Sequence, residues 1–234
     1  MARPLYVETV ICADAGEIWR RTQDPECHER WDLRFTHIDY APPDRGRTRF
    51  RYATRVLPGV VIVGTGITVG ERARSDGTRT SALRFASDDR RSLIRAGAGY
   101  WRYVPTGAGV RVRFVTGYDY RPGWGAWGVL ADRAFRPMLG WATAWSFDRL
   151  RLWLERGISP RRALAHGLAE VVLRCAAAAA AAAVAPWWLA AAVVLAAVGL
   201  PPGPTTPAAR RCLRRAPDRL AVRAPSTLED LEAP

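Results

Sequence analysis

The chain has 234 residues, of which 49% are hydrophobic and 24% charged. This balance excludes an ordinary disordered protein and a collagen-like repeat, and the length suffices for one sizeable domain with an appendage or for two small domains. The formal net charge is +13, and all 35 basic residues are arginine. A basic chain of this kind suits two classes of partner, nucleic acid and an anionic membrane surface.

The arginines of the first half are spread through strand-like segments. Arg47, Arg49, Arg51 and Arg55 alternate with other residues, which is typical of the solvated face of a sheet. A nucleic-acid reader usually clusters its charge on one helix or stripe. We therefore predict no nucleic-acid partner.

Cysteine usage and the N-terminal segment both indicate a reducing compartment. No CxxC pair and no zinc spacing occurs among the four cysteines, Cys12, Cys27, Cys175 and Cys212. Glu8 interrupts the first apolar run, so no signal peptide is predicted. We expect reduced thiols, no structural disulfide, and residues 1–157 facing the cytoplasm.

One group of potential metal ligands occurs close together in the sequence. His28, Glu29, Asp32 and His37 fall within ten positions, but their spacing matches no standard zinc pattern. The pattern favours surface polar residues around a helix end. No metal and no cofactor is predicted.

The first part of the chain predicts one strand and two short helices. Leu5 to Cys12 is short, β-branched and apolar, which is typical of a strand. Asp14 can cap the helix that follows, and Asp24-Pro25 ends that helix. A second short helix is predicted to end near Trp31.

From Phe35 to Tyr120 the hydrophobic period changes to two. Arginine and apolar side chains alternate in two clear segments, residues 49–56 and 110–118, as in half-buried antiparallel strands. Turn signals recur at residues 42–44, 58–59, 75–77, 87–89 and 106–107. The pattern predicts five or six strands joined as a meander. The glycines of residues 64–66 and 97–99 indicate close packing or a bulge, because no phosphate-loop pattern surrounds them.

After residue 123 the period becomes helical. Residues 129–156 predict one long helix, kinked or interrupted at Pro137. Between Met138 and Phe147 this helix carries no charge, so both of its faces need cover. We expect one face to grip the sheet and the other to meet the C-terminal tail.

A boundary is predicted at residues 157–160, and residues 175–209 carry no charge. The stretch from Cys175 to Leu200 is long enough to cross a bilayer core of about 30 Å, although alanine makes the signal weaker than leucine would. Three arrangements fit: one span kinked at Pro186, a hairpin of two spans at roughly 164–185 and 187–204, or a soluble helical pair.

The hairpin is favoured over the single span. It places Trp187 and Trp188 at the far membrane interface, and it brings the arginines before the first span to the same side as those after the second. Its cost is Glu170 and Arg174 within the first span, although their i,i+4 spacing lets them pair.

The local sequence and the order of elements together resemble a known superfamily. Ala13-Asp14-Ala15-Gly16-Glu17-Ile18-Trp19, followed by Asp24-Pro25 and Trp31, is similar to the opening of the polyketide cyclase/dehydrase and lipid transport group of the START-like, or SRPBCC, superfamily. The resemblance covers about residues 3–156. It implies the α+β helix-grip fold, a curved antiparallel sheet wrapped on a long C-terminal helix.

Three regions follow from the resemblance and the hydropathy pattern. Residues 1–157 form the helix-grip domain, residues 158–209 a hydrophobic helical tail that departs from the minimal family domain, and residues 210–234 an arginine-rich and then acidic end. The last residues, 226–234, are predicted to be disordered. The added tail suggests a membrane-tethered member of the superfamily.

The resemblance further implies a cavity between sheet and helix that binds apolar molecules. Apolar walls with a few polar tips are typical of ligand pockets, and the side chains expected to line this one are aromatic: Trp31, Tyr52, Phe85, Tyr100, Phe114, Tyr118, Trp141 and Trp145. The alternative is that the same rings fill a solid core. Asp119, at a strand end, is the one candidate catalytic base, but it could equally pair with an arginine.

Three functions remain open at this point. The leading hypothesis is a non-enzymatic, membrane-tethered protein that binds a lipid or polyketide-like ligand and contacts the membrane through residues 164–204. The first alternative is an enzyme similar to a polyketide cyclase or aromatase, with Asp119, Tyr118 and Tyr100 as candidate catalysts. The second is a docking or assembly module without a ligand, which would use the uncharged stretch 138–147.

Overall fold

The computed structural model describes residues 3–42, 47–107, 111–218 and 224–228. In this part of the chain, seven strands and five α-helices follow one another in the order β1 (Leu5–Ile11), α1 (Ala15–Gln23), α2 (Pro25–Trp31), β2 (His37–Tyr40), β3 (Arg47–Leu57), β4 (Val60–Ala73), β5 (Arg79–Ala86), β6 (Ile94–Thr106), β7 (Arg111–Pro122), α3 (Gly125–Arg156), α4 (Pro160–Val184) and α5 (Trp187–Gly199). The predicted turn at residues 42–44 falls mostly outside the described residues.

The strands form one antiparallel sheet in the order β1-β7-β6-β5-β4-β3-β2. Strands β2 to β7 pair consecutively as a six-stranded meander, and β1 closes the order beside β7. Helix α3 packs along β1 and β7. The predicted meander and the α+β helix-grip architecture are therefore confirmed.

Alternation along the strands gives the sheet an inner face toward the helices and an outer face. Phe114 on β7 and Trp101 on β6 lie in the core under the helices, which fixes the even positions of β7 and the odd positions of β6 as inner. The register then assigns Arg49, Arg51 and Arg55 of β3 to the outer face, where they are exposed. The arginine alternation is a solvated sheet face, as predicted.

Two aspartates begin the short helices. Oδ1 of Asp14 accepts a hydrogen bond from the backbone N–H of Glu17 at 3.0 Å, and Oδ1 of Asp24 accepts one from that of Glu26 at 2.9 Å. These bonds satisfy amide groups that have no partner within the helix. Helix α2 ends at the fully buried Trp31, as the sequence predicts.

Helix α3 is longer than predicted and is not interrupted. It begins at Gly125 rather than at residue 129 and passes through Pro137. It ends where Gly157 adopts a left-handed conformation (φ 64°), which lets the N–H groups of Gly157 and Ile158 bond back to the last turn. Its inner side carries Phe147, whose ring stacks on Phe114 with 4.4 Å between centroids.

Helices α4 and α5 form an antiparallel apolar hairpin that turns at Ala185 and Pro186. Helix α4 begins after Ser159, whose Oγ accepts from the N–H of Arg162, and its buried residues, Pro160 and Ala163, lie in its first turn. Helix α5 has no buried residue. The hairpin arrangement, rather than one continuous helix kinked at Pro186, is what the structure contains.

After the hairpin the chain comes back to the domain. Residues 205–213, the return segment, place Ala209 and Cys212 in the hydrophobic core beside Ala144. The predicted boundary between residues 209 and 210 falls within this segment: Ala209 and Cys212, one on each side of it, both belong to the core, and Leu213 pairs with the edge of β1. The side chains of Ala209 and Cys212 are small enough to fit into the closely packed core, which larger side chains would not be.

The C-terminal residues 224–228 lie on the outer face of the sheet. Leu228 packs against Ile67 and Ala82, and its carbonyl oxygen accepts a hydrogen bond from Nη2 of Arg84 at 3.1 Å. The segment Ser226–Leu228 forms a short 3-10 turn, so its prediction as a disordered end is corrected for these three residues. Residues 229–234 are outside the described part.

Candidate functional site

The inner face of the central strands carries four glycines covered by aromatic side chains. A Cβ atom on Gly64 would lie 2.3 Å from Cζ of Tyr52, and one on Gly97 would lie 2.5 Å from Cζ of Phe85. Gly66 lies in the same way beneath the ring of Phe50, and a Cβ atom on Gly99 would lie 2.7 Å from Cβ of Tyr118. The glycines therefore provide room for rings of the neighbouring strand, which confirms the prediction of close packing.

The inner face is closed at one end and open at the other. Around Phe114 it is sealed by Trp31, Tyr103 and Phe147, all fully or almost fully buried. Toward β3 and β5 the side chains of Tyr52 and Phe85 are only half-buried. This second region, the open half of the inner face, leaves aromatic surface partly uncovered.

A buried polar cluster lies beside the ring of Tyr118. Asp32, which is 1% exposed, accepts hydrogen bonds from Nε (3.0 Å) and Nη2 (2.6 Å) of Arg34. The Arg34 guanidinium lies 5.4 Å from the centre of the Tyr118 ring, and the Tyr118 hydroxyl is 2.7 Å from Oγ1 of Thr143 on α3. The cluster therefore connects α2, β7 and α3 beneath the helix.

Burial and charge act in opposite directions within this cluster. Burial by itself raises the pKa of Asp32, but the Arg34 guanidinium and the hydrogen bond from His28 outweigh it and hold that pKa well below its usual range. Burial raises the pKa of Tyr118, partly offset by Arg34, and it raises the pKa of Tyr52 to about 12. At neutral pH the cluster holds an ion pair beside neutral phenols.

His28 belongs to the interior rather than to the surface. Its Nε2 is 3.1 Å from Oδ2 of Asp32, its ring packs against Trp31, Phe35 and Trp101, and its buried Nδ1 has no partner within the described part of the chain. The prediction of surface polar residues is therefore wrong for His28 and Asp32. An interior pair forms because positions i and i+4 share a helix face.

Glu29 and His37 do lie near the surface, as predicted. The His37 ring nitrogens are 3.0 Å from carboxylate oxygens of Glu29 and Asp39. No cluster of three or more His, Cys, Asp or Glu side chains suited to a metal ion is found among the residues that the structure describes.

The eight aromatic residues predicted to line a cavity are divided among four places. Tyr52, Phe85 and Tyr118 lie on the inner face, whereas Trp31 and Phe114 are fully buried in the solid core. The remaining three residues do not lie on the inner face, contrary to the prediction: Tyr100, Trp141 and Trp145.

Tyr100 lies on the outer face. It pairs in register with Gly117 and covers it, while Trp101, the next residue, points into the core. Because consecutive strand residues point to opposite faces, only one of the two rings can be inner.

Trp141 and Trp145 lie on the side of α3 that faces away from the sheet. The two rings stack on each other with 6.3 Å between centroids, Trp141 is 48% exposed, and Trp145 lies against Gly167 of α4. Thr143 and Phe147, on the opposite side of the helix, make the sheet contacts. Helix α3 thus grips the sheet with one face, as expected, whereas its other face meets the tail at Trp145 and leaves Met138 and Trp141 exposed.

Asp119 is a surface ion-pair partner. It belongs to the outer positions of β7, its side chain is 52% exposed, and Oδ1 lies 2.7 Å from Nη1 of Arg136. It does not reach the inner face, so its assignment as a catalytic base is corrected. Arg136 also donates from Nε to Asp132 at 2.8 Å, and the Tyr120 hydroxyl donates to the same carboxylate at 2.5 Å.

An ion pair stabilises the base of the apolar hairpin. Glu170 and Arg174 pair at 2.5 Å on α4, as predicted from their spacing. Arg174 also donates to the carbonyl oxygens of Ala197 (2.6 Å), Leu200 (2.9 Å) and Pro201 (3.0 Å). It therefore caps α5, whose final carbonyls have no partner within that helix.

One described helix, α4, is long and apolar enough to cross a membrane, and α5 is a shorter apolar helix of 13 residues. Beyond Arg174 the uncharged arms, 175–184 and 187–199, measure about 15 Å and about 20 Å at 1.5 Å per residue. Both are shorter than a hydrocarbon core of about 30 Å. Full crossing would bring the neutralised Glu170–Arg174 pair into the membrane.

Two shallow hollows lie on the described part of the chain, and neither is lined by the predicted cavity residues. The larger, of about 470 Å³, lies between the start of β1 and the first half of α3 and is called the β1–α3 hollow below. The smaller, of about 270 Å³, lies beside Arg72 and Pro225.

Sequence reasoning did not single out Arg34, Thr143 or the return segment. Arg34 lies three residues after the end of a helix and belongs to no sequence motif. Its role becomes visible only in the tertiary structure, where it contacts Asp32 and Tyr118. The one available signal was the short spacing of opposite charges, Asp32 and Arg34, just after a predicted helix.

No family model matches the chain. It is similar to YndG of Bacillus subtilis (strain 168), an uncharacterized membrane protein, with 43% identity over 173 residues. The match takes in 73% of this chain and 64% of YndG, so the chain spans slightly less than two thirds of that relative's length.

Two solved structures have a similar course of the chain. A STAR-related lipid transfer protein from Xanthomonas axonopodis (fragment 25–204) is 17% identical, covers 64% of this chain and 84% of its own, and gives a TM-score of 0.49. The Zhui aromatase/cyclase from Streptomyces sp. R1128 is 14% identical and gives a TM-score of 0.44, and the match covers 64% of this chain and 96% of that protein. At these identities the similarity says nothing about ligand.

Proposed function

We propose that this protein is a membrane-anchored binding protein for a hydrophobic ligand. The observation that carries the proposal is the exposed apolar hairpin of α4 and α5, which has no charge beyond Arg174 and both ends of which are held by the helix-grip domain. Large apolar side chains such as Leu195 (72% exposed) and Val198 (81% exposed) have no protein cover. Such a surface is stable in lipid but unfavourable in water.

The hairpin geometry supports entry from one side of the bilayer. The return segment packs into the domain, so the chain before α4 and the chain after α5 lie on the same side. The arginines that flank the hairpin, among them Arg161 and Arg210, are then together on that side, which the positive-inside rule assigns to the cytoplasm. We propose that residues 1–157 and the return segment face the cytoplasm.

The open half of the inner face is the proposed ligand surface. Tyr52 and Phe85 supply half-buried aromatic walls, and Arg34 offers a fixed guanidinium that can meet a carbonyl or carboxylate oxygen at one end of an apolar molecule. An anchored domain gains from this arrangement because apolar ligands concentrate in the bilayer. A lipid or a polyketide-like chain fits these requirements.

Binding is favoured over the two alternatives. Of the three side chains considered for a reaction similar to that of a cyclase or aromatase, Asp119, Tyr100 and Tyr118, only Tyr118 lies on the inner face. The docking alternative is met in part within the chain, since Trp145 on the uncharged stretch contacts α4, whereas Met138 and Trp141 remain exposed.

Carbonate extraction of membranes containing the full chain tests the anchor. The double variant Leu189→Arg/Leu195→Arg should move from the pellet to the supernatant, because each arginine at the centre of a span costs about 3 kcal/mol. Val56→Arg/Leu57→Arg, at the exposed end of β3, is the matched control and should stay in the pellet. Release of the wild-type chain would contradict the anchor.

Mass spectrometry of organic extracts from the purified full chain tests the ligand surface. Phe85→Arg should lose an apolar molecule that the wild type carries in stoichiometric amount. Val63→Arg, which places the same charge on the outer face of β4, should retain it. Equal recovery from both variants would exclude the open half of the inner face as the binding surface.

A further inference from the structure

The β1–α3 hollow combines apolar walls with arginines. Its volume of about 470 Å³ is within the usual range for small-ligand sites. Leu5, Val129 and Pro137 supply apolar surface, and Arg3, Arg133 and Arg136 supply positive charge. Asp132 is the one acidic residue in the lining. The composition suits a molecule that is both anionic and partly apolar.

Two of these three arginines are available to a ligand. Arg136 is already engaged: its Nε donates to Asp132, its Nη1 to Asp119 and its Nη2 to the carbonyl oxygen of Tyr120. The exposed guanidinium groups of Arg3 and Arg133 have neither an ion-pair nor a hydrogen-bond partner among the described residues. Asp132 is in turn occupied by Arg136 and Tyr120, so the hollow presents uncompensated positive charge.

An apolar stripe runs along α3 directly beside the hollow. It consists of residues spaced by three or four positions, which places them on one side of the helix: Trp127, Leu130, Ala134, Met138, Trp141 and Trp145. Trp127 is 76% exposed and Met138 57% exposed. Arg133 and Pro137 adjoin this stripe on the helix surface, and at its far end Trp145 contacts α4. The stripe is thus continuous with the hairpin.

We propose that the β1–α3 hollow binds the phosphate group of an anionic phospholipid whose acyl chains lie along the apolar stripe of α3. The proposal rests on the proposed function, because the hairpin must hold this side of α3 against the bilayer. Arginine is suited to the role, since its planar guanidinium binds phosphate oxygens through two parallel hydrogen bonds. A helix with an apolar side flanked by arginines is also typical of segments that lie in the membrane interface.

Native mass spectrometry of the full chain in a mild non-ionic detergent tests the site. Dioleoyl phosphatidylglycerol and dioleoyl phosphatidylcholine are titrated separately, and the apparent affinity of the first bound lipid is measured. Wild type should prefer phosphatidylglycerol. Arg3→Ala/Arg133→Ala should weaken that binding about tenfold or more, and the single variant Arg133→Gln should give an intermediate loss.

The matched control is Arg49→Ala/Arg51→Ala, which removes the same charge from the exposed outer face. It should bind phosphatidylglycerol like wild type. Equal affinity for the two lipids in wild type, or equal loss in both double variants, would overturn the proposal. Displacement of phosphatidylglycerol by millimolar inorganic phosphate would also overturn it, because the site would then recognise a free anion.

Failure of this site can be separated from failure of the anchor. Arg3→Ala/Arg133→Ala leaves the hairpin unchanged, so it should remain in the carbonate pellet and float with vesicles of pure phosphatidylcholine. A wild-type chain that floats with neutral vesicles yet shows no lipid preference contradicts the hollow alone. A wild-type chain that floats with no vesicle contradicts the anchor and, with it, the lipid assignment of the hollow.

Discussion

Leu213 and Glu8 exchange two backbone hydrogen bonds of 2.9 Å across an isolated antiparallel bridge. The bridge occupies the free edge of β1, where unpaired N–H and C=O groups would otherwise face solvent. It also fixes where the chain emerges after the hairpin. A hairpin held at both ends by one domain cannot place its two ends on opposite sides of a membrane.

Asp148 is the buried side chain that secures this arrangement. Its carboxylate is fully buried and accepts hydrogen bonds from the N–H of Ala208 (2.8 Å), Nη1 of Arg211 (2.9 Å) and Nε of Arg151 (2.7 Å). We expect Asp148→Asn to lower the free energy of unfolding by about 3 kcal/mol, because the partly buried Arg151 and Arg211 lose their fully buried counter-charge. Denaturant titration of the detergent-solubilised chain measures this change.

Asp88→Asn is the control for Asp148→Asn, since the Asp88 side chain is 93% exposed and forms a surface ion pair with Arg95. Loss of the Asp88 charge should lower the free energy of unfolding by less than about 1 kcal/mol.

The return segment also shields the Cys212 thiol, and burial raises the pKa of that thiol to about 12. Maleimide should therefore label Cys212 in Asp148→Asn faster than in wild type; equal labelling would contradict the role of Asp148.

Arg174→Ala should reduce membrane retention more than the double variant Glu170→Ala/Arg174→Ala. The single variant leaves Glu170 as an unpaired carboxylate next to the apolar arms, whereas the double variant removes both charges. The fraction of chain in the carbonate pellet is the measurement. A double variant that is retained no better than the single one would mean that capping of α5 by Arg174, rather than the ion pair, is the dominant effect.

The Asp32–Arg34 pair predicts a specific pH dependence of stability. The pKa of Asp32 is lower in the folded chain than its unfolded value of about 3.9. Its ionisation therefore stabilises the fold fully above about pH 4, and this contribution is lost as pH falls toward the folded pKa. The difference in unfolding free energy between wild type and Asp32→Asn should be largest at neutral pH.

Asp39→Asn serves as the control for Asp32→Asn, because the Asp39 side chain is 68% exposed. It should follow the wild-type pH profile. A gap between wild type and Asp32→Asn that widens on acidification would contradict the assignment of the buried ion pair.

Gly97→Ala should lower the free energy of unfolding by about 2 kcal/mol. The new methyl group would lie 2.5 Å from Cζ of Phe85 and 2.7 Å from the carbonyl oxygen of Asp119, and the second contact is with backbone that cannot rotate away. Gly199→Ala, where no atom lies within 4 Å, should be nearly neutral. Thermal unfolding of both variants measures the difference. Equal stability of the two variants would mean that the Phe85 ring is not fixed over Gly97.

The sequence by itself determined the local elements and the distribution of charge. These features include the caps at Asp14 and Asp24, the end of α3 at Gly157, the strand alternation and the apolar hairpin, and each depends on neighbours within a few residues. Local chemistry is sufficient for these features because a cap, a turn or a hydrophobic period is formed by adjacent side chains.

Only the tertiary structure decided which face each side chain joins. Tyr100 and Trp101 are both aromatic, so alternation alone cannot say which is inner until pairing with β7 fixes the register. The meeting of Asp32 and Arg34 with Tyr118, and of Leu213 with Glu8, joins residues far apart in the chain. Such contacts depend on how whole elements pack, which no local pattern encodes.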